Sequence, residues 1–119
     1  MPVIHIHQQL NRTPKHRWSM LRNMTASLFL HERIVTTDAK GKSLMGVVGR
    51  MFARALRETK WSQNKVAGLL RVKDANYKLY ADLVKRFKLN GGGIARLIHT
   101  HQRRKGDCAN MVMVELINK

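Results

Sequence analysis

Acidic side chains are scarce in this sequence. Seven Asp and Glu residues stand against 23 Lys and Arg residues, which gives a formal net charge of +16 at pH 7. No acidic residue precedes Glu32, and none lies between Asp82 and Asp107. Because so much like charge on a small folded body repels itself, the sequence indicates a polyanionic partner. A nucleic acid is favoured, since each neutralised phosphate releases a counterion, and an anionic membrane surface is the second choice.

Cysteine and long apolar runs are also scarce. Cys108 is the one cysteine, so an internal disulfide is impossible and nothing suggests secretion. No apolar run approaches the ~20 residues that a membrane span requires, and we expect no membrane partner. Residues 1–7 lack the charged start and apolar core of a signal peptide. With 119 residues, 44% of them hydrophobic, the chain is predicted to form one modest domain.

A catalytic or metal-binding set is missing as well. The carboxylates are scattered, and no nucleophile has a base and an orienting group beside it in the sequence. His5 with His7, and His99 with His101, each place two imidazoles on one side of an extended segment. Zinc needs three or four ligands, and Cys108 offers no second cysteine. We therefore expect no enzyme, metal, cofactor or small-molecule substrate, although a His/Lys ribonuclease that uses His99 stays open as an alternative.

Helical and strand periodicity predicts an α+β fold in the order α-β-α-α-α-β-β. An extended arm over 1–12 is expected to precede a single domain over 13–119. The predicted elements are a helix from Thr13 to about Glu32, a strand over 33–37, a helix from residue 38 through Leu56, helices over 62–71 and 74–87, and strands over 94–101 and 111–117. The last two strands flank a hairpin loop at Lys105-Gly106-Asp107. The first strand must join them to bury its edge, which gives a small three-stranded mixed sheet packed by helices.

Cap residues and the spacing of apolar residues predict where the helices begin and which faces are buried. Thr13 and Pro14 suit a helix start, and Ser62 and Asp74 are the expected caps of the later helices. In the first helix, Trp18, Leu21, Met24, Thr25 and Leu28 recur at spacings of three and four, and we expect them to be buried. In the second helix, glycine weakens the helix at residues 41, 46 and 49 by roughly 1 kcal/mol each relative to Ala.

Three segments carry side chains suited to RNA. Arg, Lys, His and Asn grip phosphate and ribose, and Arg does so with a planar, bidentate group. Free N–H groups at the start of the second helix suit a phosphate, although Asp38 competes with an anion there. The candidates are Asn11, Arg12, Lys15, His16, Arg17, Arg22 and Asn23, then Thr37, Lys40 and Lys42, then Arg96, Arg103, Arg104 and Lys105. The alternatives are a solvated basic face and a capped helix with exposed lysines.

Three blocks of sequence together resemble the L-seventeen family of bacterial-type large-subunit ribosomal proteins. They are Leu10-Asn11-Arg12 with His16-Arg17, Met20–Met24, Ser27-Leu28 and His31-Glu32; then Ile34–Lys42; then Gly92–Leu97 with Arg104–Asp107 and Met111–Leu116. The resemblance adds His31 to the RNA-binding candidates. It implies the same order of elements and a structural role on large-subunit rRNA near the exit of the polypeptide tunnel. Neighbouring large-subunit ribosomal proteins are then further partners.

The sequence also departs from that family. Its first residues are nearly uncharged where bacterial members carry a basic run. Ile94 and Ala95 stand where the family commonly has Tyr and Thr, which removes a stacking group, and Gly41 replaces a common Ala. Such drift predicts an organellar ribosome, mitochondrial rather than plastid or bacterial. A free-standing nucleic-acid regulator of the helix-turn-helix kind, built on residues 62–88, is the alternative function.

Overall fold

The computed structural model describes residues 10, 13–57, 59–88 and 94–117, and its elements follow the predicted order. They are the helices α1 (Pro14–His31), α2 (Asp38–Leu56), α3 (Lys60–Leu70), α4 (Lys73–Lys78) and α5 (Val84–Phe87), the π-helical turn Leu79–Leu83, and the strands β1 (Arg33–Thr37), β2 (Ala95–Arg103) and β3 (Asn110–Leu116). From α4 through the π turn to α5 the helix runs without a break, so the α+β order is confirmed. The predicted arm lies outside the described residues, apart from Leu10.

The three-stranded sheet has the order β1-β3-β2, and both of its pairings are antiparallel. The prediction of a mixed sheet was therefore wrong. β1 does join the final pair, but it pairs with β3, with Ile34 opposite Val114. β1 and β2 run in the same direction, yet β3 lies between them, so no parallel pairing forms. β3 is central, as its two apolar faces indicate, whereas β2 lies at an edge.

Helices α1 and α2 pack on one face of this sheet. Val112 and Val114 of β3 point into that layer and are fully buried. Side chains alternate along a strand, so Val35 lies on the opposite face, where it is 56% exposed. The core therefore lies between the helices and one face of the sheet, which leaves the outer sides of the helices and the sheet edges exposed.

The predicted helix starts differ in detail from the observed ones. Thr13 caps α1 as expected, since its Oγ1 accepts a hydrogen bond from the His16 N–H at 3.4 Å. Thr59, rather than Ser62, caps α3, because the Ser62 N–H donates to the Thr59 Oγ1 at 3.2 Å. Helix α4 begins after Val72, so Asp74 lies in its first turn. Both helices begin slightly earlier than the polar residues indicated.

Glu32 caps the C-terminal end of α1 and links this helix to the α4–α5 segment. Glu32 has a left-handed backbone (φ 66°), and its N–H donates to the Leu28 carbonyl oxygen at 2.7 Å. Its carboxylate accepts from Arg86 Nη1 at 2.6 Å and from Lys78 Nζ at 3.1 Å. Arg86 also contacts Asp82 Oδ2 at 2.6 Å. The hydrogen bond from Arg86 lowers the pKa of Glu32, and partial burial opposes that shift only in part.

Replacing Glu32 by Gln is expected to lower the free energy of unfolding at pH 7 by about 1–2 kcal/mol, the range for a partly screened hydrogen bond to a charged group. A lowered pKa means that the carboxylate stabilises the fold above its ordinary pKa of 4.5, and that this contribution is lost as the pH falls through the folded value. The gap between wild type and Glu32→Gln should therefore close in urea titrations below about pH 4. A gap that is the same at every pH would contradict this role.

Candidate nucleic-acid interface

One side of α1 presents cations with no acid nearby. Lys15 and Arg22 lie seven residues apart, as do His16 and Asn23, so each pair projects from the same side two turns apart. Helix α1 contains no Asp or Glu. Among the residues that the structure describes, the side chains of Lys15 and Arg22 form no hydrogen bond or ion pair. Their charge is therefore available to an anion outside the chain.

A groove separates α1 from the edge strand β1. It is an open depression of about 350 Å³, lined by both apolar and polar side chains. Its walls are Met20, Asn23, Met24, Ser27, Ile34, Val35, Thr36 and Lys40. We call it the α1–β1 groove. It brings together Asn23 from the first predicted segment and Lys40 from the second, which the sequence places 17 residues apart. One residue of each of the first two candidate segments, Asn23 and Lys40, therefore lies on a shared surface.

The start of α2 holds the second segment. Thr37 occupies the cap position, but its side chain makes no capping hydrogen bond. Lys42 Nζ lies 3.2 Å from Asp38 Oδ2, so its charge is partly neutralised within the chain. His99 Nδ1 approaches the other oxygen of Asp38 at 4.0 Å. The Asp38 carboxylate lies at the helix start, where an incoming anion would meet its negative charge. Lys40, which faces the groove, is the better-placed cation.

The third segment is largely engaged within the chain. Arg96 contacts Glu115 Oε1 through Nε at 2.7 Å and Nη2 at 2.6 Å, across the β2–β3 pairing. Arg103 Nη1 donates to the Cys108 carbonyl oxygen at 3.0 Å. These arginines stabilise the hairpin, and β2 lies at the sheet edge opposite β1. The structure therefore does not bring Arg96 to the α1–β1 groove.

The hairpin loop is organised by one more ion pair. Arg104 Nη2 lies 2.6 Å from Asp107 Oδ2, and its Nε donates to Oδ1 at 3.0 Å. The hydrogen bond from Arg104, helped by the Ala109 N–H, lowers the pKa of Asp107 to about 2. Lys105 is exposed in the loop, and within the described residues its side chain has no such partner. The loop thus offers Lys105 as its cation without an internal counterion.

The remaining candidates lie apart from these clusters. His31 is exposed in the last turn of α1. Arg17 is half-buried beside α2 and lines a cavity with Trp18 and Val47. Asn11 and Arg12 lie outside the described residues, and so does Gly91–Gly93.

Sequence reasoning missed one part of the surface. Trp18 was expected in the core, but it is 43% exposed. Arg50 and Arg54 of α2 line a second cavity next to it. Neither arginine is among the RNA-binding candidates drawn from the sequence. The sequence does hold a signal for this surface: Arg50, Arg54 and Arg57 follow one another at spacings of four and three, which places arginines on consecutive turns of one helix side.

In the part of the chain that the structure describes, no group of three or more His, Cys, Asp or Glu side chains is placed to hold a metal ion. None of the described helices is long and apolar enough to cross a membrane.

Comparison with known proteins identifies the family. The family model of ribosomal protein L17 matches residues 20–117. Large ribosomal subunit protein bL17 of Trichlorobacter lovleyi is 38% identical over 112 residues, which cover 94% of this chain and 90% of the relative. The protein of that name from Pelobacter propionicus is also 38% identical, and the one from Lactobacillus helveticus is 34% identical over 125 residues, with 98% of the relative covered. These relatives are bacterial and lend no support to a mitochondrial location, which stays a prediction from the sequence. The chain belongs to the ribosomal protein L17 family.

Proposed function

We propose that the chain is a structural constituent of the large ribosomal subunit that binds large-subunit rRNA near the exit of the polypeptide tunnel, beside other large-subunit proteins. Its relatives carry the name of a large-subunit protein. The observation that carries the proposal is a set of cations with no internal partner among the described residues. Lys15 and Arg22 project from α1, which contains no Asp or Glu, and Lys40 lines the α1–β1 groove.

The mechanism is an electrostatic clamp on a preformed scaffold. Five of the candidate cations have no partner among the described side chains; they are Lys15, Arg17, Arg22, Lys40 and Lys105. Each one that meets a phosphate releases a condensed counterion, which favours binding by entropy. Because RNA binds the folded chain, it also stabilises the fold by mass action. Asn23 and Thr36 in the groove can add hydrogen bonds to ribose or phosphate, which fix the orientation.

A salt titration tests this clamp. The isolated chain should bind a bacterial large-subunit rRNA transcript with a log–log salt slope of about −4, the value for five phosphate contacts. Filter binding over a series of salt concentrations measures the slope, and heparin serves as a polyanion without RNA structure. Binding that hardly responds to salt would contradict the clamp. Equal affinity for heparin at every salt concentration would contradict recognition of rRNA.

The place on the ribosome needs a separate test. Antibody or tag detection in sucrose gradients of the source cells should find the chain with large subunits after a high-salt wash. A density map of that particle should then show it beside the tunnel exit. Recovery only in free fractions, or with small subunits, would contradict the proposal. Fractionation of organelles in the same cells would test the mitochondrial location.

The helix-turn-helix alternative finds little support in the geometry. Only Arg71 and Val72 separate α3 from α4, and Arg71 has a left-handed backbone (φ 61°). The DNA-binding motif joins its helices through a turn of about three or four residues. A duplex with a defined sequence, bound by a dimer of this chain, would restore that alternative.

A further inference from the structure

Trp18 occupies a place on the surface that its spacing did not predict. It shares the side of α1 that carries the buried Leu21, yet 43% of it is exposed. It lines two neighbouring cavities, of about 140 and 60 Å³, and Val47 of α2 bounds both. Arg17 borders the first cavity, while Arg50 and Arg54 border the second. An indole is thus set among three guanidinium groups where α1 meets α2.

We propose that Trp18 stacks on an unpaired base of RNA while Arg17, Arg50 and Arg54 hold the adjoining phosphates. We call this surface the Trp18 platform. The proposal rests on the proposed function, because it assumes that RNA reaches this side of the chain. It adds a kind of contact that the cations of α1 and the hairpin do not supply. Stacking contacts a base of the RNA, whereas those cations contact its phosphate backbone.

Physical chemistry favours RNA as the occupant. An exposed indole leaves apolar surface in water, and covering it is favourable. A base offers a flat π surface of matching size, and arginine adds cation–π and phosphate contacts around it. Among the described residues, no acidic side chain borders either cavity, and the only acid in α2 is Asp38, at its first residue. The base must be unpaired, because a base inside a duplex is already stacked on both faces.

Arg50 is held in a defined direction by its own helix. Its Nε donates to the Gly46 carbonyl oxygen at 3.3 Å, one turn earlier in α2. Arg54 follows one turn later, so the two guanidinium groups lie along the same side of α2. A phosphate backbone that passes along this side would meet them in succession next to the indole. This arrangement suits a single strand whose base turns toward Trp18.

Trp61 provides a matched control. It is the second of the two tryptophans in the chain, it is 62% exposed on α3, and Lys65 Nζ lies 5.6 Å from its ring centroid. It therefore combines exposure with a nearby cation but does not border the two cavities of the platform. A Trp61→Phe background also leaves Trp18 as the sole indole, so that fluorescence reports on the platform alone.

The probe is a single-stranded CA-repeat RNA of about twelve nucleotides, a length within the usual site sizes for such strands. An abasic ribose–phosphate strand of equal length carries the same charge without bases. In the Trp61→Phe protein, the CA-repeat RNA should quench Trp18 fluorescence and the abasic strand should not. Equal quenching by both strands would overturn the proposal, because charge alone would then explain it.

Affinity gives the second readout. Trp18→Leu should weaken binding of the CA-repeat RNA about tenfold to a hundredfold, the range for loss of one stacked base, with the salt slope unchanged. Trp18→Phe keeps an aromatic face and should lose less, and Trp61→Leu should change affinity by less than about twofold. Circular dichroism checks the fold of each variant, and Trp18→Phe remains informative if Trp18→Leu unfolds.

The two proposals fail in different ways. If wild type binds large-subunit rRNA with a steep salt slope and the Trp18 variants bind equally well, the platform is overturned and the proposed function stands. A partner protein that covers Trp18 would give that same result. If wild type itself does not bind large-subunit rRNA, the proposed function fails, whatever the fluorescence shows.

Discussion

Replacing Lys15, Arg22 and Lys40 together by alanine is expected to weaken binding of large-subunit rRNA about a hundredfold to a thousandfold at about 0.1 M salt. These three cations have no internal partner among the described residues, and they lie on the acid-free side of α1 or at the α1–β1 groove. Each lost phosphate contact makes the slope of log affinity against log salt shallower by about 0.9. At that salt concentration, this corresponds to a loss of nearly a factor of ten in affinity. Filter binding over a series of salt concentrations measures both quantities, and the slope should become shallower by about two to three.

A matched triple variant separates location from net charge. Lys60, Lys65 and Lys73 are exposed on α3 and α4, and their replacement by alanine removes the same charge from another part of the surface. We expect that variant to change the slope by less than about one. If both triple variants weaken binding equally, RNA responds only to overall charge, and the side of α1 is not the interface.

The type and approximate extent of the elements could be predicted because their causes are local. The cap at Thr13, the proline after it and the β-branched run of β1 act through neighbours in sequence. The hairpin loop at 105–107 was predicted for the same reason. The order of strands could not be read in this way, since the pairing of β1 with β3 joins residues about 80 apart. Pairing between distant strands depends on which strand edge the packed helices leave accessible. No pattern within a short stretch of sequence indicates which edge that is.

The interface was predictable in part, for a related reason. The acid-free stretch before Glu32 indicated cations without a counterion on α1, and Lys15 and Arg22 have no internal partner among the described residues. The stretch between Asp82 and Asp107 did so only in part: Lys105 has no internal partner among the described residues, but Arg96 finds its counterion in Glu115, 19 residues along the chain. Whether a cation is neutralised depends on how close an acid lies in space. A search for acid-free stretches of sequence therefore overestimates the number of unpaired cations on the surface. Trp18 shows the converse error, because helical spacing gives the side of a helix but not whether a neighbouring element covers it.

Replacing Gly41 by Ala is expected to lower the free energy of unfolding by about 1–2 kcal/mol, which balances an overpacking cost of about 1–3 against a gain in helix propensity of up to ~1. A Cβ at Gly41 would lie 2.7 Å from Val112 Cγ2 and 3.0 Å from Leu97 Cδ1. Val112 is fully buried, so its methyl group cannot move aside without repacking the core. Gly41 is therefore needed for the close approach of α2 to the sheet, although the sequence indicated only that it weakens the helix.

Gly49 tests the same argument with the opposite sign. A Cβ there would meet no atom within 4 Å, so Gly49→Ala gains helix propensity with no steric cost and should raise the free energy of unfolding by about 0.5–1 kcal/mol. Urea unfolding of the two variants in the same buffer gives both values. Only tight packing of α2 on β3 and β2 makes identical substitutions in one helix act in opposite directions. If both variants proved equally stabilised, α2 would have to lie farther from the sheet, and the groove that α1 and β1 form beside it would need a different geometry.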